Sequence, residues 1–181
     1  GDPEDIYSKL AVEPVLRMYV LSLIASNYVK DTVELYTFFD QTFYAWQYGD
    51  TDKLHSILDK MVTLLVQWKF VDAASYVQDD FVSAAELSSG SLRATPLGER
   101  VAQLYLDPYT AYHLLDALEK GMKKKLVLEE FALLHLLATT LELRPLLTVK
   151  RAEIDDIDKK LLEEEDSLFV KAPESYSHDY E

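Results

Sequence analysis

The stretch 51-TDKLHSILDKMVTLLVQWKFVDA-73 changes its apolar period near its end, and that change decides the fold. Leu54, Ile57, Leu58, Met61, Leu64, Leu65 and Trp68 recur at three- and four-residue intervals, which predicts one amphipathic helix with a single buried stripe. Asp50 or Thr51 is placed to cap it, since a short oxygen-bearing side chain can accept from the first free backbone N–H groups. Past Trp68 the helical spacing stops and Phe70 to Ala73 reads as a short strand. Its partner is Ser91 to Ala94, approached through the turn-prone Ser88-Ser89-Gly90. A helical segment closed by a β-hairpin is the order of a winged helix.

Upstream, Glu13-Pro14 opens a helix with Leu16, Val20, Leu23 and Ile24 on one face, proline being suited to a first turn. Asp31 with Glu34 has the spacing of a capping box, and Leu35, Phe38, Phe39 and Phe43 form the stripe of a second helix that Tyr48-Gly49-Asp50 ends. Downstream, Thr95-Pro96 starts a helix buried through Leu97, Val101, Leu104 and Tyr105. Asp107-Pro108 starts another, with Ala111, Leu114, Leu115 and Leu118 inward and Gly121 as its C-terminal stop. A further helix over 128–141 is expected to bury Phe131, Leu134 and Leu137 before Pro145 breaks it. The last, over 150–166, carries Ile154, Ile157 and Leu161 on one side and the pairs Asp155/Lys159 and Asp156/Lys160 on the other.

The expected architecture is mainly α with a small β-hairpin wing: a winged helix followed by a partial helical bundle. Residues 1–122 would form the winged-helix domain with its linker and post-wing helices. Residues 123–166 would be the first helices of a second domain, and 167–181 a flexible tail. Because the chain opens on Gly1 rather than Met, it is expected to be an excised fragment or processed product.

Composition narrows the function. The 181 residues are 49% hydrophobic, ample for a packed core, and carry 18 Lys and Arg against 32 Asp and Glu, a net charge of −14. Neither half is basic: 12 cations face 18 anions up to Lys125, and 6 face 14 beyond it. A module that binds nucleic acid mainly by neutralising phosphates carries a clustered excess of Lys and Arg, so any such contact here must be local. With no cysteine there is no disulfide, thiolate site or cysteine nucleophile, which fits a reducing cytoplasmic setting. The most apolar run, Val12 to Val29, is interrupted by Glu13, Arg17 and Asn27, and no secretory signal precedes it, so no membrane association is expected.

Several chemistries cannot be written on this chain. A phosphate-cradling loop needs closely spaced glycines, yet Gly1, Gly49, Gly90, Gly98 and Gly121 come no closer than eight residues apart. No nucleophile elbow is present. His55, His113, His135 and His178 have no partner at metal-ligand spacing on a shared helix face. His135, set among leucines, is read as a core or interface histidine satisfied by a hydrogen bond, and the run Glu163 to Asp166 as a solvated face. No catalytic residue, cofactor site or metal site is expected in the chain itself.

In many winged helices the third helix enters the major groove. Here its outward face offers Asp52, Lys53, His55, Asp59, Lys60, Thr63 and Gln67, two cations against two aspartates. From Phe70 to Leu92 there is no Lys or Arg, while Asp72, Asp79, Asp80 and Glu86 lie there, so the wing is not expected to grip phosphate. Candidate contacts to nucleic acid or to another domain are therefore Lys9, Arg17, Lys53, Lys60, Arg93, Arg100, Lys123, Lys124, Lys125, Lys150 and Arg151. The triple lysine is the foremost of these.

Several stretches, taken in order, resemble the region that follows the motor in archaeal HelQ-like superfamily 2 DNA helicases, relatives of Ski-type and Brr-type RNA helicases. Asp2-Pro3-Glu4-Asp5-Ile6 with Ser8-Lys9-Leu10, Glu13, Leu16-Arg17 and Leu21-Ser22 is similar to the linker and first helix leaving the second RecA-like domain. Glu34-Leu35, Phe38-Phe39 and Thr42-Phe43-Tyr44 resemble the next helix. Ala94-Thr95-Pro96-Leu97-Gly98 and Leu104 to Thr110 resemble the post-wing segment; Leu134-His135-Leu136 and Leu147-Thr148-Val149 resemble the start of the ratchet domain. The chain departs from the pattern in a long segment from about Ser75 to Gly90 and in Thr140-Leu141, where relatives often have Thr-Pro.

The resemblance implies a non-catalytic piece of an ATP-dependent helicase that moves three-prime to five-prime on DNA in replication-fork repair and recombination. Its winged helix would dock on the RecA-like motor domains of the same polypeptide and link them to the ratchet bundle. ATP and Mg would belong to that motor, DNA would be met through the full-length protein, and the setting would be cytoplasmic and nucleoid-associated. The alternatives are a free-standing winged-helix regulator binding duplex DNA, which would want a basic third helix or wing, and the same module in a Ski-type RNA helicase.

Overall fold

The computed structural model describes residues 13–73, 90–145 and 147–171. The opening motif with Lys9, the long segment with Asp79, Asp80 and Glu86, and the end of the tail with Pro173 and His178 lie outside them. Contacts divide the chain into two compact units, Gly1–Tyr109 and Thr110–Glu181.

The first unit is a winged-helix-like arrangement. Helix α1 (Glu13–Ala25) buries Leu16, Val20, Leu21 and Ile24. It ends where Asn27 takes a left-handed φ of 56°, so that the Asn27 and Tyr28 N–H groups reach back to Ile24 and Leu23 carbonyls and close the helix. Helix α2 (Thr32–Asp40) is capped as its sequence predicts: the Asp31 carboxylate accepts from Glu34 N at 2.8 Å, and Glu34 Oε2 accepts from Lys30 N at 2.8 Å.

The second helix does not run on through Phe43. Thr42 stops it: its hydroxyl donates to the Phe39 carbonyl at 2.6 Å and accepts from Ala45 N at 3.4 Å, capping a separate helix α3 (Phe43–Tyr48). A threonine that can serve both helix ends outweighs the continuity of the apolar stripe. The side chain of Phe43 lies outside what is described. Gly49, at φ 70°, ends α3, and Asp50 rather than Thr51 caps helix α4 (Thr51–Gln67) through Lys53 N at 3.0 Å.

Helix α4 buries Leu54, Leu58, Met61, Val62 and Leu65, each worth about 1.5–3 kcal/mol of apolar burial. Ile57, Leu64 and Trp68 are only half-buried, and Val62 takes a core place outside the expected stripe. Lys69, left-handed at φ 62°, turns the chain into β1 (Val71–Ala73), which pairs antiparallel with β2 (Leu92–Ala94) in the register Val71↔Ala94, Asp72↔Arg93, Ala73↔Leu92. Val71 and Ala73 face the core and Asp72 faces out, the alternation of a half-buried strand. Leu92 N also donates to the Lys30 carbonyl at 2.7 Å, tying the hairpin to the turn ahead of α2.

Thr95 caps helix α5 (Pro96–Gln103), accepting from Gly98 N at 3.0 Å and donating to the Lys69 carbonyl at 2.8 Å. The expected stripe of this helix is corrected. Gly98 and Val101 are its buried residues, while Leu97, Leu104 and Tyr105 are 42%, 59% and 77% exposed. The cause is proximity: a Cβ at Gly98 would fall 1.9 Å from the Phe70 carbonyl oxygen, so α5 seats by its glycine and turns its larger apolar residues outward.

In the second unit, helix α6 (Pro108–Lys123) continues past Gly121. That residue is not a helix stop but a packing position, where a Cβ would meet the Phe169 ring at 2.2 Å. The stop is Lys125, left-handed at φ 60°, with Leu126 N donating to the Gly121 carbonyl and Lys125 N to that of Met122. Ala111 and Ala117 are buried on α6, Leu114 and Leu118 half-buried, and Leu115 exposed.

Helix α7 (Glu130–Ala138) is shorter than expected, ending where Thr139 and Thr140 hydroxyls donate to the Leu136 and Leu137 carbonyls. It buries Ala132 and Leu136, leaving Leu134 65% and Leu137 39% exposed. Helix α8 (Ile154–Glu164) half-buries Ile154, Ile157 and Leu161 as the spacing predicts. Its lysines pair forward with Glu163 and Glu164 at 3.9 and 2.5 Å rather than back to Asp155 and Asp156.

Candidate nucleic-acid interface

The outward face of α4 is largely engaged within the first unit. Lys60 Nζ lies 3.3 Å from Glu13, and His55 Nε2 lies 2.9 Å from Asp40 with its ring stacked on Tyr36 at 4.2 Å. The Tyr36 hydroxyl donates to the Asp59 carboxylate, and Thr63 donates back to the Asp59 carbonyl at 2.8 Å. Helices α1 and α2 thus neutralise much of what a recognition helix would display, while Lys53 sits exposed in the first turn.

Arg17 is 7% exposed. Its guanidinium donates through Nε and Nη2 to the two oxygens of Asp107 at 3.1 and 2.9 Å and lies over the Tyr109 ring at 5.6 Å. Asp107 also accepts from Tyr109 N at 3.2 Å, so one carboxylate holds a buried cation and the start of α6. This arginine is committed to the fold rather than displayed.

The remaining candidates are scattered. Arg100 is exposed on α5 and donates to Gln103 at 3.3 Å. In the second unit Lys123 pairs with Glu119 at 2.7 Å, Lys124 and Lys125 are exposed, and so are Lys150 and Arg151. Arg93 lines a concave surface. An open groove of about 740 Å³ is lined by Asn27, Lys30, Val66, Lys69, Val71, Asp72, Ala73, Ser91, Leu92 and Arg93. Lys30 and Lys69 were not legible as candidates, because each stands alone in its segment and only the turn ahead of α2 and the end of α4 bring them beside the hairpin.

A second groove, between α1 and α5, is flanked by Tyr19 and Tyr105 over a floor of Ser22, Ala25, Ser26 and Ala102. Tyr19 is 48% exposed, and Tyr105 holds a left-handed φ of 53°. Leu97 and Leu104, also exposed, lie in the same α5 segment but do not line this groove.

The histidines are dispersed. His113 Nε2 lies 2.7 Å from Thr139 Oγ1. His135 is half-buried and departs from its expected role: among the described residues its Nδ1 is buried without a hydrogen-bond partner, and desolvation lowers its pKa below the ordinary 6.5. At the acidic end of α8, Lys160 donates to Glu164, and that bond raises the pKa of the lysine and lowers that of the glutamate. Among the described residues no group of three or more His, Asp or Glu is set to hold a metal ion, and no helix is long and apolar enough to cross a membrane.

No family model matches the chain. Individual proteins do. It is 33% identical over its whole length to the ATP-dependent DNA helicase Hel308 of Methanocella arvoryzae, 35% identical over 94% of its length to that of Methanocaldococcus jannaschii, and 34% identical over 96% to that of Thermococcus kodakarensis. The chain is homologous to a segment of archaeal Hel308 helicases. It spans 22%, 12% and 14% of the lengths of these three relatives. The Hel308 likeness covers the capped helices, the hairpin and the post-wing helix together, in keeping with the ordered motifs that first pointed to a superfamily 2 helicase.

Proposed function

We propose that the chain is a non-catalytic segment of an ATP-dependent, three-prime to five-prime DNA helicase acting at stalled or damaged forks. In this reading the first unit docks on the RecA-like motor of the same polypeptide and joins it to a ratchet-like helical domain that begins near residue 123. ATP and Mg belong to the motor; DNA is engaged by the assembled protein.

The observation that carries this reading is the run of exposed large apolar residues in the α5 segment of the first unit. Leu97, Leu104 and Tyr105 are exposed on α5 and just past its end, whereas Lys60 and His55 of the outward face of α4 are paired within the fold. Large exposed apolar residues clustered in one segment mark a surface for contact with another protein segment. In the second unit Leu133, Leu134 and Leu137 offer a comparable face on which further helices of a bundle would pack.

Two measurements test it. The coding frame ahead of Gly1 is expected to hold a Walker loop and a D-E-x-H-type box; a frame that opens at Gly1 overturns the reading. The separately purified upstream segment is expected to co-elute with this chain, and Leu104→Asp with Tyr105→Ser to abolish co-elution while the circular dichroism is kept. Failure of the parent chain to associate, together with tight DNA binding at physiological salt, would make it a DNA reader instead.

A further inference from the structure

We infer that the groove at the stem of the wing is a docking site for an acidic segment of a partner polypeptide, held by Lys30, Lys69 and Arg93. The three cations come from three elements: the turn ahead of α2, the left-handed residue closing α4, and the outward face of β2. All three are exposed, and among the described residues none is in an ion pair within 4 Å. The carboxylates next to Lys30 in sequence are already engaged in the cap of α2, Asp31 accepting from Glu34 N and Glu34 from Lys30 N, both at 2.8 Å. Among the described lining residues one carboxylate remains, Asp72, which stands opposite Arg93 in the hairpin register. Three cations against one anion make the groove locally positive on a chain of net charge −14.

The rest of the lining selects a polypeptide. No aromatic side chain is among the described lining residues, so a base would find no ring to stack on, and stacking is what holds single strands in grooves of this kind. The floor is aliphatic instead, formed by Val66, Val71, Ala73 and Leu92, and accepts an aliphatic side chain set between carboxylates. Arg93 offers a planar fork that pairs with a carboxylate through two N–H groups, and Lys30 and Lys69 act as point charges beside it. Asn27 and Ser91 add neutral groups able to bond a peptide backbone. Exposed charges arranged in this way decide which partner is accepted more than how tightly it is held. The groove shares no lining residue with the one between α1 and α5, so the site stands whether or not that surface docks on a motor.

The test is fluorescence anisotropy of a short labelled peptide of alternating glutamate and valine, titrated with the whole chain. Each exposed ion pair changes affinity by a factor of about two to five, so loss of three is expected to weaken binding roughly tenfold or more. The parent is expected to bind the peptide at about 50 mM salt and to weaken severalfold by about 300 mM as the charges are screened. Lys30→Gln/Lys69→Gln/Arg93→Gln is expected to lose roughly tenfold or more at the lower salt. Lys30→Glu/Lys69→Glu/Arg93→Glu is expected to exchange preference and bind the matching lysine and valine peptide, a gain that misfolding cannot produce. Lys124→Gln/Lys125→Gln is expected to bind as the parent does. The proposal is overturned if the parent does not bind the glutamate peptide, if the neutral triple variant binds it like the parent, or if the loss follows Lys124 and Lys125. It is equally overturned if a single-stranded oligonucleotide displaces the labelled peptide more effectively than unlabelled peptide does, or if the parent self-associates through these three cations in sedimentation. None of these variants should alter co-elution with the upstream segment, so failure here is distinguishable from failure of the docking reading.

Discussion

Replacing Arg17 by leucine removes the cation from a pair that is almost wholly out of water. The Arg17 and Asp107 side chains are 8% and 10% exposed, and their two hydrogen bonds are 3.1 and 2.9 Å. Without the guanidinium, Asp107 keeps the single weaker bond from Tyr109 N at 3.2 Å. Breaking a buried pair from one side costs about 3–5 kcal/mol, because the remaining charge is left desolvated. At an unfolding slope of about 2 kcal/mol per molar of urea, a loss of about 4 kcal/mol lowers the midpoint by about 2 M. Both tryptophans, Trp46 and Trp68, belong to the first unit, so intrinsic fluorescence follows that unit selectively. In Arg17→Leu/Asp107→Asn the asparagine keeps an acceptor for Tyr109 N and removes the charge, and most of the lost stability should return. A midpoint shift below roughly 0.5 M for Arg17→Leu, or a double variant that loses the sum of the singles, would refute the account of a compensated buried charge.

Gly98→Ala should destabilise the first unit by about 3 kcal/mol in the same urea titration, since the clash with the Phe70 backbone exceeds the roughly 1 kcal/mol that alanine gains as a helix former. Tyr105→Gly should raise stability by about 1 kcal/mol by relieving a left-handed φ, while weakening co-elution with the upstream segment. His135 is neutral in both states above pH 6.5; below it the unfolded imidazole takes up a proton that the half-buried one resists. Stability is therefore lost as the pH falls from 6.5 towards the lowered folded pKa. His135→Gln should show a smaller drop in thermal midpoint between pH 7.5 and 5.5 than the parent, and an equal drop would exclude this histidine.

Local chemistry was the legible part. Asp31, Asp50 and Thr95 cap the helices their spacing assigns, because a cap needs only a side-chain oxygen and a backbone N–H three residues on. The hairpin strands were legible for the same reason, a change of period over a few residues. The illegible features involve residues far apart in sequence. Thr42 divides one apolar stripe between two helices, and Gly98 and Gly121 are packing contacts whose partners, Phe70 and Phe169, lie in other elements. Four helix ends close on Asn27, Lys69, Tyr105 and Lys125, where sequence reading looks for glycine.

For the candidate interface the division is sharper. A list of lysines and arginines ranks residues by neighbours in sequence, and it therefore favoured Lys123 to Lys125. The tertiary structure ranks them by burial and convergence: Arg17 is sealed against Asp107, Lys60 is paired with Glu13, and Arg93 gains Lys30 and Lys69 as groove partners.

The sequence by itself determined the element types, their order and the net charge, because caps, periodicity and ionisable groups act within a turn or two of chain. Only the tertiary structure decided which cations stay in water and which face one another. Charge interactions act across space: helical spacing sets pairs such as Lys123–Glu119, but Arg17–Asp107, His55–Asp40 and Lys60–Glu13 are brought together by packing.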